Sequence, residues 1–135
     1  MGTVSDPVRR MWDDDAASRH LGMELHEAVD GVARLSMRVG DEMVNGHGMC
    51  HGGYVFLLAD SAFACACNSD GPVTVAAAAD IVFVAPARNG DLLEAVATAR
   101  TRFGRSAVYD VTVTRAGDGQ VVAEFRGRSR SQRPS

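Results

Sequence analysis

The sequence predicts an α+β fold: a long central helix wrapped by a curved antiparallel β-sheet, with a short helix at the N-terminus. Three observations predict it. Residues 54–67 are rich in helix formers and apolar around the whole circumference, so a helix there must be buried on nearly every side. Turn signals at 86–91, 103–105 and 117–119 divide residues 73–131 into four strand-like runs, and strands joined by such short connections run antiparallel. Within those runs Leu93, Ala95, Ala97, Ala99 and Phe103 share one face against Glu94, Thr98, Arg100 and Arg102, and Val121, Ala123 and Phe125 oppose Gln120, Glu124, Arg126 and Arg128. One face is core and one is wet. Alanines on the inner face let helix and sheet approach closely.

Each remaining element follows in order. Asp6-Pro7 caps and opens a helix, and Val8, Met11, Trp12 and Ala16 recur at helical spacing, so residues 1–20 read as a helical brace or lid. Two extended runs, 23–29 and 32–39, flank Asp30-Gly31 and predict a hairpin. Residues 40–53, with glycines at 40, 46, 48, 52 and 53, read as a loop. There are no repeats or linkers, so 1–135 reads as one domain, with 131–135 as a frayed tail after the last strand.

Composition excludes several classes of function. Seventeen acidic residues against fourteen basic ones leave a net charge of −3, which offers no footprint for nucleic acid. All fourteen basic residues are arginine, so Schiff-base chemistry and a lysine-dependent phosphate loop are excluded. Three cysteines, an odd number, without an export segment predict a reduced, cytoplasmic chain with no membrane anchor.

A single sheet layer cannot cover a helix on all sides, so the sequence predicts a homodimer, and a homotetramer if Val96, Val108 and Val122 on the outer face form a second interface. Asp60 is one carboxylate in an apolar helix, where burial costs several kcal/mol unless it is paired, neutralised or used. Either neighbouring donors satisfy it or it serves a reaction. Gly52 and Gly53 precede the helix and leave free N–H groups that a carbonyl oxygen can approach; the simpler role is a sharp helix entry. Asn45 either adds a side-chain donor or stabilises a turn.

Gly52 and Asp60 lie eight residues apart, about 12 Å along a helix, whereas one reacting carbonyl must touch both. If both groups serve one reaction, Asp60 must face the Gly52-Gly53 turn of a second subunit. No metal is expected: Cys65 and Cys67 point apart on the helix, as do adjacent Cys50 and His51 in the loop. No G-x-S-x-G elbow is present, and Asp80, among alanines and valines, reads as structural with no partner beside it.

The run 45–53, Asn-Gly-His-Gly-Met-Cys-His-Gly-Gly, followed by Leu58-Ala59-Asp60-Ser61-Ala62-Phe63-Ala64, resembles the signature of hotdog-fold thioesterases of the phenylacetate-degradation type. The resemblance extends through Cys67-Asn68-Ser69, Phe83, Pro86, Gly90-Asp91, 108–111 and 125–127. It implies a hotdog fold, dimers and commonly tetramers, and hydrolysis of acyl-coenzyme A thioesters with aromatic, phenylacetyl-type acyl groups. It implies Asp60 as nucleophile or general base, Gly52 as the carbonyl-polarising donor, Asn45 and His51 assisting, and Gly53 shaping the turn.

Coenzyme A would be part of the substrate and no separate cofactor is implied. Arg88, Arg102, Arg105 and Ser106 lie near turns that could rim a cleft for its phosphates, and Phe56 and Phe63 could meet the acyl group. The competing readings are a hydratase or dehydratase on the same scaffold and a non-catalytic acyl-coenzyme A sensor.

Overall fold

The computed structural model describes residues 2–132. Pro7 opens helix α1 (Asp6–Asp13), which buries Val8 and Trp12, and Asp15 caps the short helix α2 (Ala16–His20). Before α1, Ser5 N–H donates to Ala28 O at 2.9 Å and Ala28 N–H to Thr3 O at 2.8 Å, so the N-terminal segment lies along the first strand as a brace. Strands β1 (Glu24–Val29) and β2 (Val32–Arg38) form the expected hairpin. Asp30 at φ 54° and Gly31 at φ 78° supply the two left-handed residues that its tight turn needs.

The loop after β2 holds a 3-10 turn, Asp41–Met43, and leads into the central helix α3 (Gly52–Cys67). This helix starts two residues before the apolar run, because His51 is extended and Gly52 and Gly53 already form the first turn. Its other end is tied down by buried Asn68, whose Nδ2 donates to Ala64 O and Thr74 O and whose Oδ1 accepts from Thr74 N–H at 2.9 Å.

Strands β3 (Thr74–Phe83), β4 (Leu92–Phe103), β5 (Ser106–Arg115) and β6 (Val121–Ser131) complete one antiparallel six-stranded sheet of order β1-β2-β4-β5-β6-β3. Its inner face buries Leu35, Met37, Leu93, Val111 and Val113, and α3 contributes Leu58, Ala59, Ala62 and Phe63 to the same core. This is the hotdog fold.

The structure corrects four expectations. The connection 84–91 is not a hairpin: β3 pairs with β6, and β4 returns across the molecule to pair with β2. Turn residues specify a reversal of direction, but not which strand lies alongside. A bulge between Ala99 and Thr101 adds one residue to β4, so Arg102 lies opposite inward-facing Ala107, and Phe103 turns outward, 50% exposed. Strict alternation had these two reversed. Val122 is buried and does not join Val96 on the outer face. Asp80 is exposed rather than enclosed by apolar neighbours, and Arg126, directly across on β6, bonds Asp110 instead.

At the C-terminus Ser131 remains in β6, its N–H donating to Arg105 O at 2.7 Å, and Gln132 N–H donates to Val73 O. Residues 133–135 of the expected tail lie outside the described residues. No helix among the described residues is long and apolar enough to cross a membrane.

One side of the helix remains uncovered. Gly53, Phe56, Leu57, Asp60, Ala64 and Cys67 form a half-buried to exposed stripe along α3, beside edge strand β3 with Val75 and Phe83 about half exposed.

Candidate active site

The loop that delivers the chain into α3 is ordered by its own polar groups. Asn45 Oδ1 accepts from His47 N–H at 2.9 Å and Met49 N–H at 3.2 Å, while Asn45 N–H donates to Met49 O at 2.7 Å. This leaves the Asn45 Nδ2 donors unused among the described residues. Cys50 N–H donates to Ala87 O and His51 N–H to Met43 O, each at 2.7 Å, which pins the loop to both neighbours. The N–H groups of Gly52 and Gly53 then open the helix with no acceptor among the described residues. They carry the positive end of the helix dipole and point where an oxyanion can be held.

A cavity of 450 Å³ lies beside this turn, lined by Asn45 and Gly52 together with Met49, Phe83, Pro86 and Val122. Sequence reasoning missed most of this apolar lining. Phe83 and Pro86 were visible only as parts of the resemblance, because the crossover that brings 83–87 to the loop is a tertiary event.

Asp60 is half-buried on the uncovered stripe of α3 and takes no hydrogen bond among the described residues. Burial and, second, the charge of Asp15 push its carboxyl above the usual range. Asp60 does not line the cavity at Gly52, and the unbroken helix between them keeps the two about 12 Å apart.

The other expected site residues separate into groups. His51 is exposed beside Gly53, and exposed Arg88 is brought to the loop by its bridge with Met49. Arg102, Arg105 and Ser106 gather at the opposite end of α3, around a 250 Å³ pocket that also contains Asp70 and Tyr109. Arg102 is paired there with Asp70 at 2.9 Å. Phe56 is half-buried, its ring edge-on to Phe125 at 5.3 Å. Phe63 is corrected outright: it is 1% exposed, packed on Tyr109 and Phe125, and has no face left for a ligand.

The cysteines do not compete for the chemistry. Burial pushes the thiol of Cys50 up, and those of Cys65 and Cys67 up to about 12, so all three are neutral thiols near neutral pH. Among the described residues no three His, Cys, Asp or Glu side chains gather as a metal site.

The long helix wrapped by an antiparallel sheet is the hotdog architecture, and the free amides at its N-terminus open beside an apolar cavity. The chain belongs to the thioesterase superfamily, whose sequence model matches residues 47–122. It is 42% identical to the acyl-coenzyme A thioesterase PaaI of Escherichia coli over 119 residues, 88% of this chain and 84% of that one. The structure of the E. coli PaaI protein from the phenylacetic acid degradation operon superposes with a TM-score of 0.91, covering 96% of this chain and 93% of the other at 39% identity. A mutant of the phenylacetic acid degradation protein PaaI from Thermus thermophilus superposes with a TM-score of 0.83 at 33% identity, covering 87% of this chain and all of the other. The protein smu.793 of Streptococcus mutans bound to acetyl CoA superposes with a TM-score of 0.77 at 25% identity, covering 82% and 88%.

Proposed function

We propose that the protein hydrolyses acyl-coenzyme A thioesters, with aromatic, phenylacetyl-type acyl groups, at sites shared between two copies of the chain. One observation carries the reading. The free Gly52 amide and the Asp60 carboxylate lie on one unbroken helix, too far apart to act on one carbonyl in the same chain. Two copies related by a two-fold axis resolve this, with the uncovered stripes of α3 packed antiparallel and the free edges of β3 side by side. Asp60 of one copy then faces Gly52 of the other, twice per dimer. Association also covers the apolar stripe. Back-to-back contact of two dimers through the outer sheet face would give a tetramer.

In such a site the Gly52 N–H polarises the thioester carbonyl, with the free Asn45 Nδ2 and His51 as further donors. Asp60 either attacks the carbonyl carbon, expelling coenzyme A thiolate and leaving a mixed anhydride for water to open, or takes a proton from the water that attacks. The apolar cavity suits the acyl group, with Phe56 close to the axis. An antiparallel pairing centred near Phe56 also sets the C-terminal end of one α3 about 10 Å beyond the reacting carboxylate. Arg102, Arg105 and Ser106 of that end, with Arg88 of the other copy, would meet the coenzyme phosphates. The reaction written this way needs no cofactor and no metal.

The relatives named for acyl-coenzyme A hydrolysis and phenylacetic acid degradation support this substrate class. A thiol-release assay across aromatic and aliphatic acyl-coenzyme A esters tests it. Fastest release from phenylacetyl-type esters is expected. Binding without release would instead indicate a sensor, and water addition or loss without free thiol a hydratase or dehydratase. A single turnover in isotopically heavy water distinguishes the two roles of Asp60: label enters the enzyme carboxylate only if it attacks.

A further inference from the structure

The hydroxyls of Ser18 and Ser61 meet at 2.7 Å, both almost fully buried. Asp15 completes the chain: its Oδ2 accepts the Ser18 hydroxyl at 2.7 Å and its Oδ1 accepts Ser18 N–H at 3.0 Å. A hydroxyl has one proton to give, and that of Ser18 goes to Asp15, which sets the direction of the chain. Ser18 donates to Asp15, and Ser61 donates to Ser18. A serine inside a helix ordinarily bonds back to its own helix, whereas Ser61 spends its proton on α2, one residue from Asp60.

We propose that Asp15, acting through Ser18 and Ser61, is a positioning residue for the Asp60 carboxylate. This rests on the reading of Asp60 as the reacting group. The clamp fixes the rotation of α3 against the N-terminal brace, which keeps Asp60 on the uncovered stripe. The Asp15 charge acts on Asp60 as well. After burial it is the second cause that raises the carboxyl's proton affinity, and a base tuned toward working pH takes protons more effectively.

No other charge among the described residues has this effect. The strands packed on α3 turn apolar side chains toward it, with Tyr109 as their ionisable member, a phenol that burial keeps neutral. Arg102, beyond the bulge, is engaged with Asp70 at the far end of the helix. On α3 itself Cys67 is a neutral thiol, and on α2 Arg19 and His20 are exposed. His26 of β1 bonds Ser36 on the other face of the sheet.

The test is the carboxyl titration of Asp60, followed by NMR in the full chain labelled at the aspartate carboxyl carbon, with Asp60→Asn assigning the signal. Asp15→Asn, or Asp15→Ser if the first folds poorly, removes the charge while retaining an N-cap side chain. The expected result is a downward shift of the Asp60 midpoint, matched by the acid limb of kcat/KM, with KM little changed. Ser61→Ala keeps the charge and breaks the clamp, so kcat falls and the midpoint moves less than in Asp15→Asn. An Asp60 midpoint that stays in place in folded Asp15 variants overturns the inference. The titration needs no turnover, so full activity in Asp60→Asn would remove the proposed catalytic role and leave this result to stand or fall by itself.

Discussion

The ring of Phe83 lies across the first turn of the central helix, so near Gly52 that a Cβ there would come within 2.9 Å of its Cζ. Phe83 belongs to the exposed edge strand and can swing aside. In Gly52→Ala it therefore gives way toward the cavity mouth and the amide that should meet the carbonyl. Denaturation midpoints are expected to change little, while kcat/KM falls roughly tenfold to a hundredfold, as misplacement of reacting groups does. Steady-state kinetics beside a denaturant titration separate the two effects.

A second close approach has the opposite consequence. A Cβ at Gly127 would lie 2.8 Å from the Phe63 ring, which is enclosed by Tyr109 and Phe125 and cannot move. Gly127→Ala is expected to destabilise the fold by about 1–3 kcal/mol, the usual cost of overpacking. Urea unfolding at equilibrium reads it directly.

Asp60→Asn preserves shape and removes the charge. Turnover is expected to fall by at least about a hundredfold, the contribution of a positioned base, while acyl-coenzyme A binding persists. Calorimetric titration with substrate and a thiol-release assay on the same preparation check both halves. Wild-type rates in this variant would eliminate the role given to Asp60.

The raised pKa of Asp60 also fixes the sign of two pH effects. Activity of the native enzyme should fall, as pH drops, at a point above the ordinary aspartate range, because the carboxylate must be ionised to act. Stability runs the other way. The folded carboxyl binds its proton more tightly than the unfolded one, so its penalty is absent below the unfolded pKa and grows as pH rises through the folded pKa. Asp60→Asn should accordingly match the native protein in acid and exceed it in stability at neutral pH. Denaturation series at several pH values show whether the gap opens in that direction.

Ala64 lies one turn beyond Asp60 on the uncovered stripe. An arginine there has room in a lone chain and none between two packed helices. Ala64→Arg is expected to sediment as a folded monomer without activity, against a native dimer or tetramer. A native monomer, or an active Ala64→Arg monomer, would rule out a site shared between copies.

Helix and strand segments were legible along the chain, because they depend on local periodicity and turn chemistry: the all-apolar run became α3, Asp30-Gly31 became a hairpin turn, and Gly52-Gly53 made the sharp entry to the helix. The sequence also singled out Asp60, since a charge inside an apolar helix stands out on composition alone. It took the folded chain to set β3 at the edge beside β6, to shift the register of Arg102 by a bulge, to seal Phe63 in the core, and to join Asp15 and Ser18 to Ser61, the neighbour of Asp60. Those outcomes depend on which distant surfaces pack together, and pairing across the sheet is set by the summed burial of both partners, which no single stretch of chain encodes.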